Sequence, residues 1–250
     1  MTTSFTQHVL DHGFVRLHNL AGPVRRNDED SFFDADDTDP AHTARMSFHK
    51  MEADRTREDD LKLANYLMAH KHTTPFEMVT VWLEMKLPIF VARQFVRHRT
   101  VSINEVSARY VQLPAQWYIP EPEHVGLRPA NMKQGRELKW DELTPDQQET
   151  IHEHCRRLND NCSKAYADYH WAVEHGIPPE VARLQLHVNH YTHWIWKQDL
   201  HNLMHFLSLR VDSHAQWEAQ QYGNAVYKLL KQHLPHSMEL FDKHRRMSAD

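Results

Sequence analysis

The side chains best suited to chemistry lie in the stretch QFVRHRTVSINEVSARY, residues 94–110. It holds Arg97, Arg99 and Arg109 together with one histidine and one glutamate. A guanidinium group forms paired hydrogen bonds with a phosphate, so this segment predicts binding of a phosphate-bearing ligand. Arg97 and Arg99 are two residues apart and point to different sides of a helix end, which favours contact with two anionic groups or with one ligand on each side. The alternative is a solvated basic turn paired with acids such as Glu105.

Several helices would position this segment. Residues 59–69 carry a helical pattern, and Pro88 opens a helix through Arg97 that leads into the arginines. A capping box of Thr144 and Gln147, with proline between them at the first helical position, predicts a long helix to about His175. Two more helices are predicted over residues 180–191 and 200–233.

Strands are fewer. Residues 8–20 and 78–85 alternate apolar and polar side chains, which predicts two half-buried strands. Residues 28–39 are acidic and predict a solvated loop, and residues 111–141 are rich in proline and predict an irregular connection. Because the sequence has no internal repeat and no Gly/Ser linker, it predicts one helix-rich α+β domain over residues 1–250, with a small antiparallel sheet.

Composition excludes several classes of protein. Hydrophobic residues make up 40% of the chain and charged residues 25%, which is typical of a folded protein with a core. The net charge of −5 disfavours a nucleic-acid binder. With six glycines and no GxGxxG or P-loop pattern, the common nucleotide-binding loops are absent from the sequence.

The sequence predicts a soluble, cytoplasmic protein that does not span a membrane. The longest stretch without a formal charge runs from Leu184 to Trp196, short of the roughly 20 apolar residues a span requires. The N-terminus does not resemble a secretory signal. Cys155 and Cys162 are seven residues apart on a predicted helix, so their α-carbons lie about 10 Å apart, too far for a disulfide.

Two other chemistries are weaker interpretations. The chain has 22 histidines, and His187, His190 and His193 recur every three residues, while His201 and His205 are four apart, a spacing compatible with metal ligands. No HExxH pattern accompanies them, so no metal site is predicted. Neither Ser107 nor the cysteines lie in a sequence context typical of an activated nucleophile.

The RHR-x7-S pattern of Arg97-His98-Arg99 and Ser107 resembles the signature of the flavin-dependent thymidylate synthase family. Other segments in the same order are similar to family motifs: ARMSF at 44–48, HTTPFE at 72–77, PIFVARQ at 88–94 and LRVDSHAQWE at 209–218. The resemblance covers roughly residues 40–225. It implies that the protein converts dUMP to dTMP, with methylenetetrahydrofolate as carbon donor and with FAD, reduced by NADPH, as hydride source. It also implies an α+β fold and a homotetramer whose active sites are shared between subunits.

The resemblance also implies which residues bind each ligand. The dUMP residues would be Gln94, Phe95, Val96, Arg97, Glu105, Val106, Ser107, Ala108, Arg109, Arg183 and Arg210. The FAD residues would be Ser47, Thr74, Glu77, Arg97, His98, Arg99, Asn104, Glu105, Asp199, Leu200, His201, His205 and His214. Asp199-Leu200-His201 stands where many members have an asparagine-led triplet that contains arginine.

Arg210 is predicted to be the main catalytic residue. A guanidinium against the O2/N3 edge of uracil would stabilise the negative charge that develops when the ring reacts, and it stays charged at any working pH. The alternative is a structural arginine paired with Asp212 or Glu218. For the whole protein, the competing hypotheses are a non-catalytic flavin or nucleotide module and, third, a nucleic-acid binder.

Overall fold

A computed structural model describes residues 5–23, 35–49, 55–129, 135–137 and 139–246. The strands are β1 (Thr6–Val9), β2 (Gly13–Ala21), β3 (Thr80–Pro88), β4 (Ser102–Glu105) and β5 (Tyr191–Asp199). The helices are α1 (Asp39–Arg45), α2 (Arg57–Ala69), α3 (Thr74–Glu77), α4 (Ile89–Phe95), α5 (Pro145–Glu174), α6 (Pro179–Ala182), α7 (Leu200–Arg210), α8 (Trp217–His233) and α9 (Pro235–His244).

The five strands form one antiparallel sheet in the order β1-β2-β3-β5-β4. β3 and β5 pair along their whole length, from Thr80 opposite Asp199 to Pro88 opposite Tyr191. The chain therefore enters α4 at one end of the sheet and α7 at the other. The predicted α+β class, helix-rich with a small antiparallel sheet, is confirmed.

The core lies between one face of this sheet and the helices α2, α7, α8 and α9. Alternate residues of the strands point into it, as the two-residue period of a strand requires. The largest fully buried side chains include Trp196, Phe95, Phe206 and Tyr222. Phe95 makes edge-to-face contacts with the other three rings, at centroid distances of 4.8 to 6.3 Å. The end of α4 is thereby anchored to the sheet and to the helices behind it.

Local signals predicted some elements well. α2 begins at Thr56 with a capping box, and α5 begins at Thr144 with the predicted one. Gly176 follows α5 with φ of +81°, the left-handed conformation that glycine adopts without strain. β3 is shifted by two to three residues from the prediction, and α4 ends at Phe95 rather than Arg97.

Other predictions were wrong. The predicted strand over 8–20 is the hairpin β1–β2, whose turn contains Leu10 at φ of +58°. The predicted helix over 180–191 is one turn, α6, followed by a 3₁₀ turn and then by β5. The predicted helix over 200–233 is broken at 211–216, where the Asp212 carboxylate accepts a hydrogen bond from the main chain of His214. β4 and β5 were not predicted.

The acidic segment 28–39 is only partly described, since residues 28–34 lie outside the described ranges. Asp37 and Asp39 are buried, contrary to the prediction of a solvated loop. The Asp37 carboxylate accepts hydrogen bonds from the main-chain N–H groups of His236 and Ser237, at 3.0 and 2.7 Å. It caps the N-terminus of α9, where a negative charge is favourable.

The two cysteines are free thiols, as their spacing predicts. Among the described helices, none combines the length and the apolar character needed to cross a membrane.

Candidate active site

Arg210, the last residue of α7, lies against the segment that follows α4. Its Nε and Nη2 atoms lie 3.3 and 3.1 Å from Nε2 of His98. Nη2 also donates a hydrogen bond to the main-chain carbonyl of Gln94, at 3.2 Å. The guanidinium carbon lies 6.0 Å from the centre of the Phe95 ring. We call Gln94, His98 and Arg210 the Arg210 cluster.

The electrostatics of this cluster keep His98 neutral. Burial, the positive charge of Arg210 and the neighbouring His205 together lower the pKa of His98 to about 4. A neutral imidazole has one nitrogen that accepts a hydrogen bond, and here Nε2 is that atom because it faces a donor that has no lone pair. His98 therefore fixes the orientation of the Arg210 guanidinium and adds no second positive charge beside it.

The sequence suggested that Arg210 could instead be a structural arginine paired with Asp212 or Glu218. Asp212 pairs with His214 at 2.9 Å, and Glu218 pairs with Arg136 at 2.8 Å. Within the described residues Arg210 forms no ion pair, and its half-buried guanidinium has a pKa lowered by burial. An uncompensated charge of this kind is typical of a group that meets an anion or a developing negative charge.

The buried carboxylate of Glu218 is connected to the Arg210 cluster through the side chain of Gln216. Glu218 is 2% exposed and accepts hydrogen bonds from Arg136 and from Gln216 Nε2, at 2.8 and 3.0 Å. Gln216 Oε1 in turn accepts a hydrogen bond from Gln94 Nε2, at 2.6 Å. Because the amide of Gln216 is held on its nitrogen side by Glu218, its oxygen is directed at Gln94.

The sequence did not indicate this network of hydrogen bonds. Gln216 and Glu218 lie in the segment that resembles a family motif, which was the available signal. Arg136 lies in the irregular connection, where no pattern distinguishes it.

A second group of polar side chains, the Arg183 cluster, lies near α6. Its members are Ser107, Arg109, Glu180 and Arg183. Arg109 Nε donates to the Glu180 carboxylate at 2.9 Å, and Arg183 Nε donates to the Glu180 main-chain carbonyl at 3.3 Å. Ser107 Oγ accepts a hydrogen bond from the Arg109 N–H at 3.3 Å.

Strand β4 separates the two clusters along the signature segment. Arg97 and Arg99 precede β4, and Ser107 and Arg109 follow it. A four-residue strand spans roughly 13 Å. Thr100 accepts a hydrogen bond from Gln198 near one end of β5, whereas Val106 donates to the His193 carbonyl toward the other end. Within one chain, the predicted dUMP residues therefore form two groups rather than one.

Several of the predicted FAD residues lie at or near the start of α7. Asp199 is the N-cap, and its carboxylate accepts hydrogen bonds from the main chain and side chain of Asn202, both at 2.8 Å. His201 is half-buried, and burial lowers its pKa together with the neighbouring Arg245, while Glu77 and Asp199 act in the opposite direction. His205 lies one turn further, with its ring 6.2 Å from that of His98. We call Glu77, Asp199, His201 and His205 the α7 cluster.

The remaining predicted residues divide by exposure. Phe95 and Leu200 are fully buried, so in this conformation of the single chain neither presents an atom to a ligand. Glu105 accepts a hydrogen bond from Thr192, and His214 is paired with Asp212. The others are exposed or half-exposed: Ser47, Thr74, Val96, Arg97, Arg99, Asn104, Val106 and Ala108.

Arg97 and Arg99 fit a phosphate-bearing cofactor. Both side chains are exposed, and within the described residues neither has a hydrogen bond or an ion pair. The sequence left open a basic turn neutralised by Glu105, but Glu105 is bonded to Thr192 instead. Two free guanidinium groups beside exposed hydroxyl and amide groups form a donor set suited to a pyrophosphate.

The histidines considered as metal ligands lie in separate surroundings. His190 is buried and stacks on Tyr166, with a pKa lowered to about 4 by burial. His187 contacts the thiol of Cys162, and His193 contacts Glu84.

The chain belongs to the family whose model is described as thymidylate synthase complementing protein, which matches residues 31–236. It is similar to proteins named flavin-dependent thymidylate synthase. The relative from Rickettsia bellii (strain RML369-C) is 38% identical over 251 residues, which cover 97% of this chain and 80% of the relative. The relative from Gluconobacter oxydans (strain 621H) is 39% identical over 240 residues, covering 95% of this chain and 72% of the relative.

Solved structures show the same fold. One neighbour is the UMP/dUMP methylase PolB from Streptomyces cacaoi bound with 5-Br dUMP, with a TM-score of 0.77 and 25% identity over 97% of this chain and 100% of that one. The same methylase bound with 5-Br UMP matches with a TM-score of 0.73 and 27% identity, over 96% and 97% of the two chains.

Proposed function

We propose that this protein is a flavin-dependent thymidylate synthase. It converts dUMP to dTMP, takes the carbon from methylenetetrahydrofolate, and uses FAD that has been reduced by NADPH. Membership of the family supports the reaction. The observation that carries the assignment to the Arg210 cluster is the guanidinium of Arg210, which has no ion pair within the described ranges and is fixed by neutral His98 and by the Gln94 carbonyl.

FAD supplies the hydride when it is bound. The residues that would hold it are Ser47, Thr74, Glu77, Arg97, His98, Arg99, Asn104, Glu105, Asp199, Leu200, His201, His205 and His214. Arg97 and Arg99 meet the negative charge of its pyrophosphate. The α7 cluster and the N-terminal end of α7 add polar side chains beside them.

The substrate is held at its two ends. The dUMP phosphate would meet the charged and polar donors of Arg109, Arg183 and Ser107. The uracil ring would contact Gln94 and Arg210. The Arg210 guanidinium donates to the O2/N3 edge and stabilises the charge that builds up as C5 attacks carbon and C6 accepts hydride. A preorganised donor of this kind contributes ~3–4 kcal/mol to transition-state stabilisation.

The separation of the two clusters supports a site shared between subunits of a homotetramer. The Arg210 cluster of one subunit would face the Arg183 cluster of another. Large apolar side chains beside the Arg183 cluster are open to solvent, with Leu184 80% and Tyr110 78% exposed and Val181 and Val188 at least half exposed. Such a patch is typical of a protein–protein interface. Residues 1–250 act as one catalytic domain in this proposal, and the free thiols favour the cytoplasm.

The test is release of tritium from dUMP labelled at C5, measured with FAD, NADPH and methylenetetrahydrofolate and with each omitted in turn. We expect turnover only with all components present, and formation of dTMP in equal amount. A parallel assay with UMP, which differs from dUMP only by its 2′-hydroxyl, checks the sugar preference, and we expect dUMP to be the better substrate.

Two outcomes would contradict the proposal. Protein that binds FAD but never releases tritium would be a flavin module without this activity. Turnover that needs no flavin would place the hydride source elsewhere.

A further inference from the structure

A guanidinium group of the C-terminal segment lies beside the α7 cluster. The sequence did not indicate this contact. Arg245 follows α9 directly. Its Nη1 donates a hydrogen bond to the main-chain carbonyl of His201 at 3.0 Å, and its Nη2 lies 2.6 Å from Nδ1 of the same histidine. The end of α9 is therefore held against the first turn of α7.

Arg245 is not paired with a carboxylate of any residue that the structure describes. Its side chain is half-buried, and within the described residues it forms no ion pair. The neighbouring Arg246 is exposed and pairs with Asp242 at 3.1 Å, one helical turn back. A guanidinium withdrawn from water without an anion is costly, so its charge favours a partner that the described part of the chain does not supply.

The donors of Arg245 are only partly used. A guanidinium carries five N–H groups, and the contacts with His201 occupy two of its nitrogens from one side. Glu77, Asp199 and His205, the other members of the α7 cluster, also interact electrostatically with His201. Arg245 therefore lies directly beside a residue of the predicted FAD site and keeps unused donors.

We propose that Arg245 binds the pyrophosphate of FAD, with His201 holding the guanidinium in place. This inference rests on the proposed function, because it assumes that FAD occupies the space beside the α7 cluster. It assigns a second source of positive charge to that site, in addition to Arg97 and Arg99, and it makes the C-terminal segment part of the cofactor site.

The experiment measures FAD affinity rather than activity. Protein freed of FAD is titrated with FAD at low and at high NaCl, and binding is followed by quenching of flavin fluorescence. Arg245→Met removes the charge but keeps an unbranched apolar chain to fill the same space. Arg246→Met is the matched control on the adjacent residue. The unfolding temperature of each FAD-free variant reports any structural damage.

We expect Arg245→Met to weaken FAD binding by about 10-fold or more at low salt, as loss of a charged hydrogen bond implies. Its affinity should also depend less on salt than that of the unsubstituted protein. Arg245→Lys should recover part of the loss, and Arg246→Met should bind like the unsubstituted protein.

Three results would overturn the inference. Unchanged FAD affinity in Arg245→Met removes Arg245 from the site while the proposed function stands. A loss that is equal at both salt concentrations and accompanied by a lower unfolding temperature assigns Arg245 a purely structural role. Failure of the unsubstituted protein to bind FAD overturns the proposed function itself.

Discussion

Arg210 and His98 are joined across the site by a short contact in which the arginine donates and the neutral imidazole accepts, at 3.1 to 3.3 Å. Arg210 ends α7 and His98 follows α4, so the contact joins two elements that leave opposite ends of the sheet. It fixes the orientation of a charged group that has no anionic partner within the described residues. This relationship connects the fold to the proposed chemistry.

Replacement of Arg210 by lysine tests whether turnover depends on the planar, forked shape of the guanidinium donor. Arg210→Lys keeps the positive charge but cannot donate to His98 and the Gln94 carbonyl in the same geometry. We expect turnover to fall by about 100-fold or more, with FAD content and assembly retained. Arg156→Lys, on the exposed face of α5, is the control. Near-normal turnover of Arg210→Lys would reassign Arg210 to binding or structure.

The lowered pKa of His98 predicts a specific loss of stability in acid. Its folded-state pKa is about 4, below the usual 6.5, because a protonated imidazole would be buried against a guanidinium. The stabilisation is complete above pH 6.5 and is lost as pH falls toward 4, since the unfolded chain takes up the proton first. The loss amounts to about 3 kcal/mol over this range.

Urea unfolding of the unsubstituted protein and of His98→Gln measures this effect, because glutamine accepts the same hydrogen bond but does not titrate. The difference in unfolding free energy between the two should shrink as pH falls from 7 to 4.5. Parallel pH profiles would show that His98 carries no such shift.

Glu218 is predicted to position Gln94 through Gln216. Glu218→Gln removes the charge that faces Arg136 and leaves that cation partly buried without a partner, at a cost of about 3 kcal/mol. The freed Gln216 amide no longer directs Gln94, so KM for dUMP should rise more than kcat falls. Glu153→Gln, which removes an exposed carboxylate paired with Arg156 and Arg157, should change stability by less than about 1 kcal/mol. Unchanged KM in a folded Glu218→Gln would contradict the positioning role.

The two-cluster arrangement predicts which inactive chains rescue each other. Mixed assemblies of Arg210→Ala and Arg183→Ala should recover part of the activity, because some sites combine an intact Arg210 cluster with an intact Arg183 cluster. Mixed assemblies of His98→Ala and Arg210→Ala should stay inactive, because both changes lie in the same cluster. Rescue by the second pair but not by the first would place the subunit boundary elsewhere.

Local signals account for what the sequence predicted correctly. The α5 helix is specified by Thr144 and Gln147, whose side chains satisfy the first N–H groups without help from the rest of the chain. The affinity of the arginine-rich segment for phosphate stays a prediction, and it rests on residue type alone.

The sequence was less informative where pairing partners are distant. β4 is four residues long and exists because β5 lies beside it, about 90 residues later in the chain. β5 is rich in aromatic and β-branched residues, a strand signal that the sequence-based prediction of a helix over 180–191 obscured. Arg245 reaches His201 only through the packing of α9, so no sequence pattern places it at the site.

A single turnover tests the central claim most directly. The FAD-bound protein is reduced chemically, freed of reductant without oxygen, and mixed with dUMP and methylenetetrahydrofolate in the absence of NADPH. The account predicts that flavin oxidation accompanies formation of one dTMP per oxidised flavin, with tetrahydrofolate as the other product. Flavin that stays reduced while dTMP forms, or flavin that oxidises without dTMP, would contradict it.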